Sequence, residues 1–405
     1  MSIDLFVRKI LLLWLAIGLG ALLVTGCWNR RELDDLAIQL GTSIDKVGNQ
    51  YRVAVQVVIP GEVAVRSSST GISPVTLYHA TAPTMFEAFR KLTETSSRKI
   101  YSAHIRVLVI GESLAREGIG EVLDMFSRNP EARTDFYLMV ARNTSAMQVL
   151  KTLTSLEKIP AENLFYALDT SAKEWAPTTT VTIEKLIEEL VTEGLSPVLT
   201  GVKMVGNVEH GEELANIQKI DPAARTRFIG LAVFRKDKLV GWLNEEQSRG
   251  YNYLMNNVNS SAGHLKCPEG GLIVLETLRS KTRIKADIQD GKPVMTVKVK
   301  NVSSVSDVEC RIDLTSPETI KQLEKESEEK FKELMSSVIN HVKERYGFDI
   351  FGFGHKLYQA HPREWEKRKE EWDEQFKQLE IKYDIDVQIH KIGTTNDSFL
   401  NYIKE

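Results

Sequence analysis

The chain has 405 residues, of which 42% are hydrophobic and 26% charged, and its net charge is −3. That length suggests two or three domains, and the near-neutral balance excludes the global basic field of a nucleic-acid binder. Hydrophobic content is that of a globular protein, and no apolar run after Val24 is long enough to span a bilayer.

At the N-terminus Arg8 and Lys9 precede an apolar run, residues 10–24, which leads into Val24-Thr25-Gly26-Cys27. A basic start, a short apolar stretch and small residues at its end describe a secretory signal peptide. The run falls short of the roughly 20 residues that cross about 30 Å of hydrocarbon. An apolar residue, two small residues and Cys resemble a bacterial lipobox, in which the thiol receives diacylglycerol and cleavage leaves Cys27 first. An ordinary signal peptide with a chance Cys is the competing reading. Residue types, length, position and the hydrophilic chain that follows favour lipid attachment at Cys27. The expectation is therefore a leader over residues 1–26 and an extracytoplasmic body held at a membrane by acyl chains such as palmitate. Arg30 and Arg31 read as solvated charge or as contacts to lipid phosphate.

The next elements alternate. Residues 37–44 and 51–59 read as two strands joined by Gly48-Asn49, with Tyr51, Val53, Val55, Val57 and Ile59 on one face and Arg52 and Gln56 opposite. Residues 66–73 are a Ser-rich loop. Residues 83–97 read as a helix with Phe86, Phe89 and Leu92 along one side. A strand over 105–110, a helix over 113–127, a strand over 136–140 and a helix over 145–156 complete an α/β rhythm. A further helix carries Ile183, Leu186, Ile187 and Leu190 and closes at Gly194. A boundary is expected near Pro197, dividing a mixed α/β region, 27–195, from an α+β region, 196–405.

Strands dominate the second region. Residues 201–205 form one; 228–234 and 239–243 form a hairpin; a helix follows over 245–257. Residues 272–278 form a strand, and 283–288 and 294–300 are joined by Asp290-Gly291, a tight hairpin pair. Val308, Cys310, Ile312 and Leu314 alternate with polar residues, which points Cys310 inward. Cys267 and Cys310 either pair or remain core thiols, because their spacing fixes no distance. Ser316-Pro317-Glu318 opens a long helix with N-cap, Pro and acid in order. A second terminal helix from Pro362 aligns Trp365, Trp372, Phe376 and Leu379 in one seam, read as core packing. Residues 384–392 form a last strand. The fold class is thus mixed α/β and α+β, with mixed and antiparallel sheets and flanking helices.

Catalytic motifs are absent: there is no HExxH, CxxC, GxSxG or P-loop. The closest histidine pair, His355 and His361, is a weak metal candidate. Phe351-Gly352-Phe353-Gly354 reads as a turn that uses glycine, without the lysine of a phosphate loop.

Three separated segments carry a family resemblance. The first is Gly26-Cys27-Trp28-Asn29-Arg30-Arg31-Glu32-Leu33-Asp34-Asp35-Leu36-Ala37; Asn29 stands where Asp is usual. The second is Gly230-Leu231-Ala232-Val233-Phe234 through Leu239-Val240-Gly241-Trp242-Leu243. The third is Asp349-Ile350-Phe351-Gly352-Phe353-Gly354 with Trp365 and Trp372-Asp373. In this order they resemble the Ger(x)C lipoproteins, the C subunits of nutrient germinant receptors in spore-forming Gram-positive bacteria. The resemblance implies three mixed α/β domains, no catalysis, no cofactor and no metal. It also implies lipid anchoring outside the spore inner membrane, beside multi-pass A and B subunits. The competing expectation is a solute-binding lipoprotein serving a transporter, which would show two similar lobes; no repeated halves are visible. A carboxylate-pair cell-wall hydrolase is disfavoured because nothing locates the pair.

Overall fold

The computed structural model describes residues 3–24, 32, 35–64, 72–267 and 270–391. A helix spans Ile3–Val24, and its large side chains from Phe6 to Ile17 are exposed. Among the described residues no helix is long and apolar enough to cross a membrane.

The first sheet is built from β1 (Leu36–Val47), β2 (Gln50–Val58), β3 (Val75–Ala82), β4 (Lys99–Tyr101), β5 (Val107–Gly111), β6 (Tyr137–Ala141), β7 (Val198–Gly206), β8 (Ala224–Arg235) and β9 (Lys238–Trp242). Its order is β3-β2-β1-β5-β6-β7-β8-β9, with β4 beside the start of β1. The centre, β1-β5-β6-β7, is parallel, and antiparallel strands flank it on both sides. The boundary expected near 195 therefore falls between β6 and β7 of one continuous sheet.

Both faces of this sheet are covered, which is why β5 is buried along its whole length. Ile44, Val53, Val55, Leu108, Ile110, Leu138 and Val140 face helices Met85–Lys91, Glu112–Glu117, Gly120–Ser127 and Ile183–Val191. Val107, Val109, Met139 and Ala141 face helices Ala146–Lys151 and Pro160–Glu174. Gln56, opposite the Val53/Val55 face, is buried between strand and helix. Its Nε2 donates to the Leu150 carbonyl at 2.7 Å, and its Oε1 accepts from Ala161 N at 2.9 Å.

Several helices differ from the sequence expectation. The one expected over 83–97 begins at Met85, where Thr84 and Glu87 form a reciprocal capping box, and ends at Lys91 in a short 3-10 turn. Leu92 is fully buried, but Phe86 points outward with 59% of its surface exposed. The helix expected over 113–127 is two. Between them Ile119 N donates to the Asp237 carbonyl, and Gly120 N to its carboxylate. The tip of the β8–β9 hairpin thus caps the second helix. The long helix Pro160–Glu174 has no counterpart in the sequence reading.

The second sheet runs β10 (Ser261–Lys266), β11 (Leu272–Gln289), β12 (Lys292–Val308) and β13 (Glu380–Lys391) in that order. The three strands expected over 272–300 are one two-stranded ribbon. Two register shifts, at Val274/Leu275 and Thr277/Arg279, break its period-2 pattern and hide its continuity in the sequence. Asp290 and Gly291 turn it, both at positive φ. The chain after Val308 is irregular, so Cys310 and Leu314 are buried from a loop and not from a strand. Cys310 is bonded to Cys267, with their Cα atoms 6.3 Å apart.

Helix Pro317–Arg345 packs its Met335, Val338, Ile339 and Val342 against Met295, Val297 and Val299 of β12. The second terminal helix, expected from Pro362, is broken into Pro362–Arg368 and Trp372–Gln378, and an unexpected helix, Phe353–Ala360, precedes it. Trp365, Trp372, Phe376 and Leu379 are all buried in that core, as the seam predicts. Two carboxylates of the long helix serve β13: Glu324 accepts from Ile389 N at 2.9 Å and Glu328 from Val387 N at 3.3 Å.

The disulfide closes a loop with a sequence separation of 43. Chain-entropy reasoning gives it about 4 kcal/mol, because closing the loop restricts the unfolded chain. Cys310→Ser, or reduction of the parent protein, should lower the unfolding free energy by about 2–4 kcal/mol in urea titrations. An unchanged midpoint would show that the bond contributes nothing to stability.

Candidate functional site

Cys27, the lipid-attachment residue expected from the sequence, lies outside the described residues, as do Trp28 to Arg31. What the structure describes is its surroundings: an apolar helix before it and β1 beginning at Leu36 after it.

The second and third of the segments that carried the resemblance meet where the first sheet joins the terminal helices. Asp349 is buried at the turn that leads into helix Phe353–Ala360. Its Oδ1 accepts from Phe351 N at 2.8 Å. Its Oδ2 accepts from Gly354 N at 2.8 Å and from Trp372 Nε1 at 3.2 Å. Gly352 takes the left-handed conformation, φ 70°, that the turn requires. Gly354 allows a closer approach: a Cβ there would sit 2.7 Å from Trp372 Nε1 and 2.9 Å from Gly194 Cα. Gly194 closes helix Ile183–Val191, and Glu193 beside it accepts from Trp365 Nε1 at 2.8 Å. The Trp365 and Trp372 rings meet edge to face at 5.4 Å. A polar pocket of about 310 Å³ opens between these residues. Burial pushes Asp349 up to about 6, against the pull of its donors. With both oxygens accepting, it acts as a staple for the turn.

A second cavity, about 210 Å³, lies one helix turn away and is lined by Lys185, Glu189, Val198, Tyr251 and Asn257 among others. The Glu189 Oε1 is 3.9 Å from the Lys185 ammonium, and its Oε2 meets no hydrogen-bond partner among the described residues. Burial pushes Glu189 up to about 7; Lys185 opposes this and Glu188 adds to it. Tyr251 is raised well above its ordinary value by burial, with the charges of Glu189 and Asp349 adding to it.

His355 and His361 point to different partners, Gln359 and Asp287. No group of three or more His, Cys, Asp and Glu side chains is placed to hold a metal among the described residues. Neither Asp349 nor Glu189 was singled out for a role from the sequence. The available signal at Glu189 was an acid three residues after Leu186, on the flank of an apolar stripe.

Residues 29–204 match the family described as Spore germination protein N-terminal domain, and residues 229–393 match Spore germination B3/GerAC like, C-terminal. Spore germination protein KC of Bacillus subtilis (strain 168) is 31% identical over 411 residues, covering 98% of this chain and 100% of that one. The chain belongs to the Ger(x)C family of spore germination proteins. Spore germination protein B3 of the same organism is 26% identical, with 92% and 96% covered. Among solved structures, the crystal structure of the GerBC protein matches with a TM-score of 0.55 at 22% identity, covering 86% of this chain and 97% of that one. That likeness bears out the mixed α+β fold with two sheets. In this Ger(x)C chain the N-terminal match ends inside β7 and the C-terminal match begins inside β8, so the first sheet draws on both.

Raised carboxylates set a direction for pH. Glu189 and Asp349 hold protons more tightly folded than unfolded, so their contribution is complete below about pH 4 and is lost as pH rises through 6 to 7. His355, pushed down by burial and by Lys356, works the other way in the same window. Comparing Glu189→Gln with the parent isolates the acid. The parent should lose up to about 3 kcal/mol more than the variant between pH 5 and pH 8 in urea unfolding. Parallel pH profiles would show that Glu189 does not titrate in that range.

Proposed function

We propose that this chain is a non-enzymatic, lipid-anchored C subunit of a spore nutrient germinant receptor. It acts at the outer face of the spore inner membrane with multi-pass A and B subunits, and together they start germination in response to small nutrients. The observation that carries this reading is the full-length match to spore germination protein KC, 98% of this chain against 100% of that one, on a sequence whose Gly26-Cys27 ends an apolar leader. The relatives are named for spore germination, and the buried carboxylate of Asp349 holds a turn with both its oxygens.

The tether has a physical purpose in this reading. Each buried CH₂ of an acyl chain contributes about 0.8 kcal/mol, so two chains hold a protein at a bilayer where one is marginal. Confinement then raises the effective concentration of the body beside membrane partners without any new contact.

Cys27→Ala tests it. Spores carrying the variant should lose most of the protein from the membrane fraction and germinate more slowly on nutrients, while germination by a nutrient-independent trigger is unaffected. Mass spectrometry of the parent protein should find a diacylglycerol-modified N-terminal Cys27. Normal membrane retention and normal germination in the variant would refute the anchored-subunit reading.

A further inference from the structure

An apolar groove of about 620 Å³ lies between helices Met85–Lys91 and Gly120–Ser127, with β4 at its end. Phe86, Phe89, Ile100, Met125 and Phe126 line it. Phe89, Ile100 and Met125 pack on the core beneath. Phe86 does not: it stands at the lip, 59% exposed, with the Arg90 guanidinium 5.0 Å from its ring. The fold gains little from an aromatic ring held out in water, and such an exposed patch marks a contact surface.

We propose that this groove is the face that rests on the lipid bilayer, with Phe86 entering the interface and Arg90, Lys91 and Arg98 set against lipid phosphates. The proposal deepens the anchored-subunit reading and rests on it for the tether. Charge supports it. The acids of the rim are engaged, Asp124 by Arg128 at 2.8 Å and Glu131 by Lys99 at 2.7 Å. Glu87 is held in the capping box. Arg90, Lys91 and Arg98 make no ion pair among the described residues, although Lys91 Nζ donates to the Thr81 carbonyl at 3.3 Å; against them the same segment sets Glu87 and Glu94, so the edge is left with a net charge of +1. Cations beside an apolar wedge suit an anionic membrane surface.

Tether length supports it independently. Cys27 lies nine residues before Leu36. Fully extended, that stretch reaches about 30 Å. Leu36 is paired in register with Lys99, a residue of the groove wall. A globule of this chain length has a radius of gyration of about 21 Å and is about 50 Å across. A lipid on Cys27 therefore keeps the groove side within reach of the bilayer.

The test uses the full-length lipidated protein in vesicles of phosphatidylcholine and phosphatidylglycerol with no other protein. Cys27 carries lipid and Cys267 is bonded to Cys310, so an added cysteine is the only free thiol. A polarity-sensitive fluorophore is placed at Thr93→Cys, on the groove, or at Leu156→Cys, which is exposed next to the helices that cover the opposite face of the sheet. The groove label should move to the blue and be quenched by spin-labelled lipid roughly threefold more than the control label. Adding Phe86→Ser should reduce that difference. Flotation with vesicles while the groove label stays in water would overturn the proposal and leave the tether standing. Failure of the parent protein to float would overturn both. A blue shift that appears only when multi-pass membrane proteins are added would overturn it in favour of a protein occupant.

Discussion

The structure depends on β8 being buried from both sides. Ala232 and Phe234 point into the core shared with the helices of the first sheet, while Leu231 and Val233 point into the core of the terminal helices; all four have no exposed surface. Each face removes apolar side chains from water at roughly 25 cal/mol per Å². One strand thus welds two cores, and the period of two that makes it possible leaves no residue of Leu231–Phe234 free to vary. Cutting the chain on either side of β8 would strip a wall from one core or the other. That is why a boundary drawn from composition near residue 195 does not mark a separable unit of the first sheet.

The junction beside β8 concentrates the polar cost of this arrangement. The turn at Asp349 presents backbone N–H groups and a tryptophan N–H at a buried position, and one carboxylate satisfies them. Glu189 is less well served, and the fold tolerates it by raising its pKa until the neutral form is accessible. Both acids sit at the seam between the two cores, Asp349 buried and Glu189 largely so, each beside a small cavity.

Much of this was legible in the sequence where the pattern is local. The alternation of Val53, Val55 and Val57, the Asp290-Gly291 turn, the Ser316-Pro317-Glu318 helix start and the Trp365/Trp372/Phe376 seam all appear as read. The misreadings are equally physical. Phe86 satisfies the helical period of Phe89 and Leu92, yet periodicity cannot say which apolar residue on a stripe lies beyond the rim of the core. Gln56 looks like a solvent-face residue until helix Pro160–Glu174 covers it, and its partners Leu150 and Ala161 are about a hundred residues away. Helix Pro160–Glu174 itself shows only Leu164 and Leu168 as buried large residues, too sparse a stripe to stand out. Cys27 is the reverse case: the lipid attachment proposed there rests on the residues around it and on no feature of the fold.

In the proposed anchored subunit, the place where the tether joins the body matters. The chain enters at β1, and β1 is not an edge. Leu36 to Ile38 pair with β4, Gln39 to Val47 with β2, and Gly41 to Ile44 with β5 on the other side. A strand bonded along both edges and buried on both faces belongs to the most protected part of a domain, the part that opens only with global unfolding. An edge strand in the same place would carry the membrane's pull on a single ladder and could peel from the sheet residue by residue. Leu36 to Ile38 hold to β4 alone and only Gly41 to Ile44 are bonded on both edges, so a pull on the N-terminus meets the two-sided ladder after the three β4 pairs.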